Sequence, residues 1–445
     1  MPTPLEITSD VIAIAKKAGA DAADCLYYRS ASLSLSRRMG QPEGIERSES
    51  SGISLRVFAG KRPAMVSSSD SSPNALQEMA ERAVKMARLS PEDPFAALAP
   101  QPLLATSFPE LELHDVTQPG EAWLLEQCAK AEDAALSVQG ITNSEGADAS
   151  HGETDFALAT SNGFRGGYKT SSSTLSVSVL AGSGTGMERD YDFSSRRFLN
   201  ELKDAGELGK NAAARALARL GARKIATAMM PVVFDPRVSK GLVSAFAGAI
   251  NGSAIARGTS FLKDSLGKTV FGNGIRIIDN PHLVRGLGSR PFDGEGVANR
   301  PAYLIENGIL QGWLLDMRSA AKLGLTTTGH ANRGLSSPPS PATSNLYMQS
   351  GTHSPEELIQ DIKQGFYVTE VFGMGVNLIT GDYSQGAAGF MIENGQKTFA
   401  VSEVTIAGKL QDMFLRLTPA SDLNFTYATN APTVRVEGMT VAGKV

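Results

Sequence analysis

The chain predicts an α+β protein: an N-terminal region of helices laid on antiparallel sheet, then a C-terminal β-rich domain of short antiparallel strands with a few helices. Three observations carry this reading. A helical apolar rhythm gives way twice to apolar/polar alternation before residue 226, the texture beyond Ala226 shifts to glycine and short strands, and two Asn-Gly pairs flanked by apolar residues mark hairpins there. The expected division is residues 1–225, with sub-regions near 1–95 and 119–225 joined by a proline-rich connection, and residues 226–445.

Residues 7–19 read as a helix, with Val11, Ile12, Ile14, Ala15 and Ala18 inward and Gly19 as terminator. An antiparallel meander follows. Leu33 and Leu35 alternate with serines, Ile53, Leu55 and Val57 alternate with Ser54 and Arg56, and Gly60-Lys61-Arg62 turns the chain into Ala64-Met65-Val66. Pro73 opens a second helix, whose stripe is Leu76, Met79, Ala83 and Met86. Residues 90–119 hold six prolines and little periodicity, so they form a linker or long surface connection. A helix over 123–136 then leads to strands at 154–160 and 174–180, separated by the Asn162-Gly163 turn, and to a helix over 207–220 closed by Gly221.

Asp235-Pro236 is an N-cap with proline at the first helical position, where a missing N–H costs nothing. Val238, Leu242, Val243, Phe246 and Ile250 form one apolar stripe, while Gly241, Ser244, Ala245, Ala247, Gly248 and Ala249 keep the other faces small. A buried helix running into Arg257-Gly258-Thr259-Ser260 is expected. Small residues such as Gly241, Ala245 and Gly248 leave room for a close neighbour. Between Val238 and Ala256 there is no carboxylate, imidazole or thiol, so this helix alone can supply neither metal ligands nor an acid/base pair. Leu304-Ile305-Glu306-Asn307-Gly308 and Met391-Ile392-Glu393-Asn394-Gly395 are the two hairpins; they are either halves of a duplicated unit or unrelated hairpins sharing the commonest turn.

Composition bounds the partners. Forty-two Lys and Arg against 46 Asp and Glu give a formal charge of −4, which argues against a dedicated nucleic-acid surface. Residues 1–10 lack the charged and apolar parts of a secretory signal, and no apolar run approaches the roughly 18 residues of a membrane span, so a soluble, cytoplasmic protein is expected. Cys25 and Cys128 lack metal-ligand spacing and read as reduced thiols in or near the core.

Several motifs weaken on inspection. Gly182, Gly184 and Gly186 lack the third glycine of a dinucleotide loop and suit a hairpin better. Gly267-Lys268-Thr269 resembles the tail of a P-loop, but the first glycine position is Leu262, and no Gly-x-Ser-x-Gly occurs. His151, Glu153 and Asp155 at alternate strand positions could share a face and bind a metal; an exposed polar strand needs no ligand. His330 lies in a polar, glycine-broken loop and reads as a satisfied loop residue.

Ser51-Gly52-Ile53-Ser54-Leu55-Arg56-Val57-Phe58, Arg257-Gly258-Thr259-Ser260, Tyr303-Leu304-Ile305-Glu306-Asn307-Gly308, Gly365-Phe366-Tyr367-Val368, Gly381-Asp382-Tyr383-Ser384 with Gly386, and Ile392-Glu393-Asn394-Gly395 occur in this order along the chain. In them the chain resembles the TldD/PmbA family over nearly its whole length, and within it the PmbA branch, also called TldE. The TldD branch is a zinc peptidase with His-Glu-x-x-x-His shortly before Arg-Gly-Thr-Ser and a cysteine ligand near the C-terminus. Here the two histidine positions fall on Val243 and Gly248 and the glutamate position on Ser244, and residues 421–436 hold no cysteine. The resemblance therefore implies a subunit without catalytic residues, cofactor or metal of its own. Its zinc would sit in a TldD-type paralogue with which it forms a heterodimer, and its substrate would be unfolded or modified peptides. Thr328, Gly329, Arg333 and Asn345 are the candidates for the substrate cleft, with Arg333 available to a peptide carboxylate or carbonyl. Alternatives are a self-associating peptide- or protein-binding homodimer with no proteolytic role, an independent hydrolase with its metal elsewhere, and a gyrase modulator, which the acidic charge supports poorly.

Overall fold

A computed structural model describes residues 2–443. Helix α1 (Pro4–Lys17) starts at a capping box, in which Thr3 accepts from the backbone of Glu6 and Glu6 accepts from the backbone of Thr3. Strands β1 (Ala22–Arg38), β2 (Gln41–Ala59) and β3 (Arg62–Ser68) form the meander, and α2 (Pro73–Leu89) follows it. After the connection come α3 (Glu121–Leu136), β4 (Ile141–Thr160), β5 (Arg165–Ala181), β6 (Glu188–Arg196) and α4 (Ala205–Ala218). The glycine-spaced loop at 182–186 is the link between the paired strands β5 and β6.

The two expected sub-regions share one antiparallel sheet, ordered β3-β2-β1-β4-β5-β6. β1 and β4 join them through a continuous ladder from Asp24 opposite Thr160 to Arg37 opposite Ala147. The strands outrun the alternation that foretold them. β2 reaches back to Gln41 through eleven exposed positions, because a backbone ladder needs no apolar side chain, whereas the alternation reports only where one face is covered.

All four helices lie on the face of odd-numbered β1 residues. Cys25, Ile53, Leu55, Val57 and Ala159 pack with α1 and α2, while Leu35, Ala147, Ala149, Leu175 and Val177 pack with α3 and α4. Cys25 and Cys128 are both free and buried in these two cores. α3 and α4 meet at Gly209, where a Cβ would stand 2.1 Å from the carbonyl oxygen of Ala131.

The C-terminal half begins with β7 (Ala228–Phe234), α5 (Pro236–Ala249) and α6 (Gly252–Ala256), then β8 (Ile277–Asp279), β9 (Ala302–Glu306), β10 (Ile309–Leu310) and α7 (Met317–Leu323). It continues with β11 (Ala331–Asn332), β12 (Ser340–Pro341), β13 (Leu346–Met348), α8 (Pro355–Ile359), β14 (Gln364–Phe372) and β15 (Val376–Asn377). β16 (Asp382–Glu393), β17 (Gln396–Lys409), α9 (Leu410–Leu415), β18 (Leu417–Pro419), β19 (Thr429–Asn430) and β20 (Val434–Ala442) complete it. The order β14-β7-β20-β17-β16 closes on itself, because β16 also pairs with β14; a five-strand barrel results. A smaller sheet runs β10-β9-β8-β13-β19. The antiparallel expectation holds except at β14–β7 and β13–β19, which are parallel.

Between barrel and small sheet lies α5. Its Leu242, Val243 and Phe246 share one core with Phe234 and Phe366 of the barrel and Ile277, Ile305 and Leu346 of the small sheet. The expected continuous helix stops at Ala249, since Ile250 leaves helical geometry and Asn251 caps α6 by accepting from the backbone of Ser253. Both Asn-Gly pairs adopt the two positive φ angles of a type I′ turn, 48° and 79° at Asn307-Gly308 and 49° and 78° at Asn394-Gly395. The hairpins sit in different sheets with arms of different length, so the turn is what they share.

The Gly209 contact generates a test. Gly209→Ala drives a methyl into the rigid backbone of α3 and should cost about 1–3 kcal/mol, read as a lower urea midpoint at unchanged slope.

Candidate functional site

Two places compete for chemistry: the inert helix α5 and the junction between the N-terminal sheet and the C-terminal half. On α5, Val243 is fully buried in the core and Ser244 is exposed. A Cβ at Gly248 would stand 2.7 Å from Cδ1 of Leu378, so a leucine side chain covers the position where a ligand would project. Gly241, by contrast, has no neighbour that a Cβ would meet. Zinc does not fit these residues, because a valine and a glycine offer no lone pair and a serine is too weak a base to activate water. Ser260 of Arg257-Gly258-Thr259-Ser260 ties this region together, donating to the carbonyl of Ala249 at 2.6 Å and accepting from the amide of Leu262 at 3.0 Å.

His151, Glu153 and Asp155 do share a face of β4, but they pair with other residues rather than with one another, and Nε2 of His151 is buried without a partner. Nδ1 of His151 meets Ser173 at 2.9 Å, Glu153 holds His114 at 2.9 Å and Gln118 at 3.2 Å, and Asp155 is 3.9 Å from Lys169. Among the described residues no three His, Cys, Asp or Glu side chains converge on a metal position. Burial pushes the His151 imidazole below its ordinary value.

The four cleft candidates divide. Thr328 accepts from the amide of Leu315 at 2.8 Å, and Gly329 takes a left-handed φ of 71° against the backbone of Ala298. His330 is satisfied, with Nδ1 2.8 Å from Thr328 and Nε2 3.3 Å from Asp279. Asn345 is buried, donating to Asn280 and Ser289 and accepting from the amide of Gly288, so it fixes the loop at 286–289 from behind. Arg333 alone keeps unspent donors: Nη1 donates to Asp24 at 2.6 Å, while the buried Nε and Nη2 have no partner.

That contact belongs to a buried charge network. Asp24 of β1 also receives Arg56 of β2 at 2.5 Å, and Arg56 reaches Glu295 at 3.5 Å. Burial would raise the Asp24 carboxyl, but Arg333 and Arg56 outweigh it and hold it below its usual range. Glu295 goes the other way. Burial pushes it up to about 8, since Arg56 is bound more closely to Asp24 and the Asp293 carboxylate opposes ionisation. Leu335 reaches the same sheet, its Cδ1 lying 2.6 Å from where a Cβ on Gly52 would be.

Beside this network opens a cleft of about 600 Å³. One wall is a ladder of aromatics on the even-numbered face of the sheet, Tyr28 opposite Phe156 and Phe156 opposite Tyr168, the last two stacked at 5.0 Å. Phe292 backs it edge-on to Tyr168 at 5.5 Å. Arg197, Arg290 and Arg333 border the opening. Arg197 donates to the carbonyls of Ser171, Leu287 and Gly286, and burial lowers it from its ordinary value. Arg290 donates to the carbonyl of Ala342 and leaves its Nε without a partner. Sequence reasoning found Arg333 and missed the rest. Isolated arginines and an aromatic among serines give no signal until the register sets them side by side.

Three family models match the chain: PmbA/TldA metallopeptidase domain 1 over residues 23–87, the central domain over 115–220 and the C-terminal domain over 227–443. Metalloprotease PmbA of Escherichia coli O157:H7 is 36% identical over 95% of this chain and 93% of its own length. The PmbA homologue of Haemophilus influenzae is 34% identical over 98% and 96%. Among solved structures, a Bacteroides thetaiotaomicron protein named for modulation of DNA gyrase superposes with a TM-score of 0.91 at 28% identity, covering 98% of both chains. TldE from Thermococcus kodakarensis, at 21% identity, shares the fold with a TM-score of 0.83 over 98% of this chain and all of its own. Among the described residues no helix is long and apolar enough to cross a membrane.

The network yields two expectations. Asp24→Asn leaves two buried guanidinium groups without their counter-charge and should cost about 3–5 kcal/mol in chemical denaturation. Glu295, with its folded value raised from 4.5 to about 8, keeps a proton that the unfolded chain releases, so its contribution makes stability fall as pH rises through that window. Glu295→Gln should flatten this slope; an unchanged slope between wild type and variant would remove Glu295 as its source.

Proposed function

The chain belongs to the PmbA/TldD metallopeptidase family, and from that premise we propose that it is the non-catalytic subunit of a two-subunit peptidase. It binds and helps to enclose unfolded or modified peptides, while a TldD-type paralogue supplies the zinc. The observation that carries this reading is α5, where Val243, Ser244 and Gly248 occupy the motif positions and Leu378 covers the last of them. A helix kept for packing with its ligand positions filled by inert side chains needs its chemistry from elsewhere.

Around Leu378 in the chain, Phe372, Met374 and Ile379 stand exposed on the segment that runs from the end of β14 to β16, Met374 at 99%. Exposed apolar side chains on one short segment are where we place contact with a partner. The cleft bordered by Arg333 is our assignment for the peptide, while Thr328, Gly329 and Asn345 hold the loops that shape it.

Mixing the purified chain with the TldD-type paralogue of the same organism tests the proposal. The chain alone should leave an unfolded peptide intact, the mixture should elute as one complex and cleave it, and a zinc chelator should abolish the cleavage. Failure to form that complex, together with self-association of this chain, would favour the homodimeric binding protein instead.

A further inference from the structure

Three arginines line the cleft at the junction. They are Arg197, Arg290 and Arg333, and the Asp24 carboxylate behind them is already shared by Arg333 and Arg56. Among the described residues Arg197 and Arg290 pair with no carboxylate; their protein partners are backbone carbonyls. Three buried guanidinium nitrogens, Nε of Arg290 and Nε and Nη2 of Arg333, have no partner at all. Unmade bonds at buried charged donors are costly, and clusters of them mark a place where an acceptor is missing. A planar fork of N–H groups suits a carboxylate or another oxyanion. The facing wall is apolar: Tyr28, Phe156 and Tyr168 stand in register across three strands. Anion donors on one side and stacked rings on the other, around a cavity of about 600 Å³, match a ligand with an oxyanion head and an apolar body.

We propose that this cleft captures the C-terminal carboxylate of a peptide, with half-buried Arg290 reading the carboxylate, buried Arg333 adding positive charge behind it, and the Tyr28–Phe156–Tyr168 wall receiving the last side chain. The inference rests on the peptide-binding reading above and gives it a polarity: the substrate enters this subunit tail first. An inorganic oxyanion such as phosphate shares the head-group chemistry but offers nothing to the aromatic wall.

Calorimetric titration of the full-length chain decides the matter, using acetyl-alanyl-phenylalanine as free acid, the same peptide as C-terminal amide, and inorganic phosphate. The acid should bind about ten- to a hundredfold more tightly than the amide, the range expected when a charge-assisted bond is lost, and more tightly than phosphate. Arg290→Gln should remove that preference and Arg290→Lys should restore part of it. Arg290 is half-buried and bonds only to a carbonyl, so folding should survive, and a thermal melt checks this. Equal binding of acid and amide, phosphate binding as tightly as the acid, no binding of the acid at millimolar concentration, or an Arg290→Gln variant that retains the preference would each overturn the proposal. A mixture with the paralogue that cleaves peptides without any such preference would sink the cleft assignment alone and leave the subunit reading standing.

Discussion

The most buried tie between the two halves of this molecule is a single carboxylate. Asp24 on β1 accepts Arg56 from the neighbouring strand and Arg333 from a loop 309 residues away, and it does so with almost no exposure to water. A buried ion forfeits several kcal/mol of hydration, so the site persists only while every partner is in place. That demand fixes the loop at 333–336 against the sheet, where Leu335 over Gly52 adds an apolar clamp. It also fixes the cleft, because the same loop forms one rim and the same sheet face forms the wall.

Local physics was legible in the sequence. The stripe from Val238 to Ile250, the cap at Asp235, the helix opening at Pro73, and the two Asn-Gly turns all follow from interactions within a few residues, and each stands in the fold where the local pattern puts it. The residues of the junction obey another logic. Arg56 sits in an alternating strand as one charged residue among many, and nothing near it announces Asp24, Glu295 or Arg333. The same holds for Tyr28, Phe156 and Tyr168, which become a wall only through the register of β1, β4 and β5. Barrel closure by β14 and β16 was equally out of reach, since a closed and an open sheet share one pattern of alternation.

The family's own fragments look different in three dimensions. Ser51-Gly52-Ile53-Ser54-Leu55-Arg56-Val57-Phe58 supplies both Gly52 and Arg56 to the junction, and Arg257-Gly258-Thr259-Ser260 ties α6 back to α5 through Ser260. Both serve architecture here. α5 remains a core element although Val243, Ser244 and Gly248 carry no chemistry, because Leu242, Val243 and Phe246 join barrel and small sheet in one hydrophobic core. A change of one solvent-facing side chain on such a helix leaves this core intact, whereas losing the helix would dismantle the domain.

The aromatic face of the N-terminal sheet also has a history within each molecule's synthesis. Leu26, Tyr28, Phe156, Leu158 and Tyr168 are all made before Phe292 and Arg333, which later cover or adjoin them. A chain emerging in order therefore exposes a finished sheet with one sticky, charge-bearing side for as long as the ribosome needs to reach the C-terminal loops. The first half of this protein waits, half dressed, for the second.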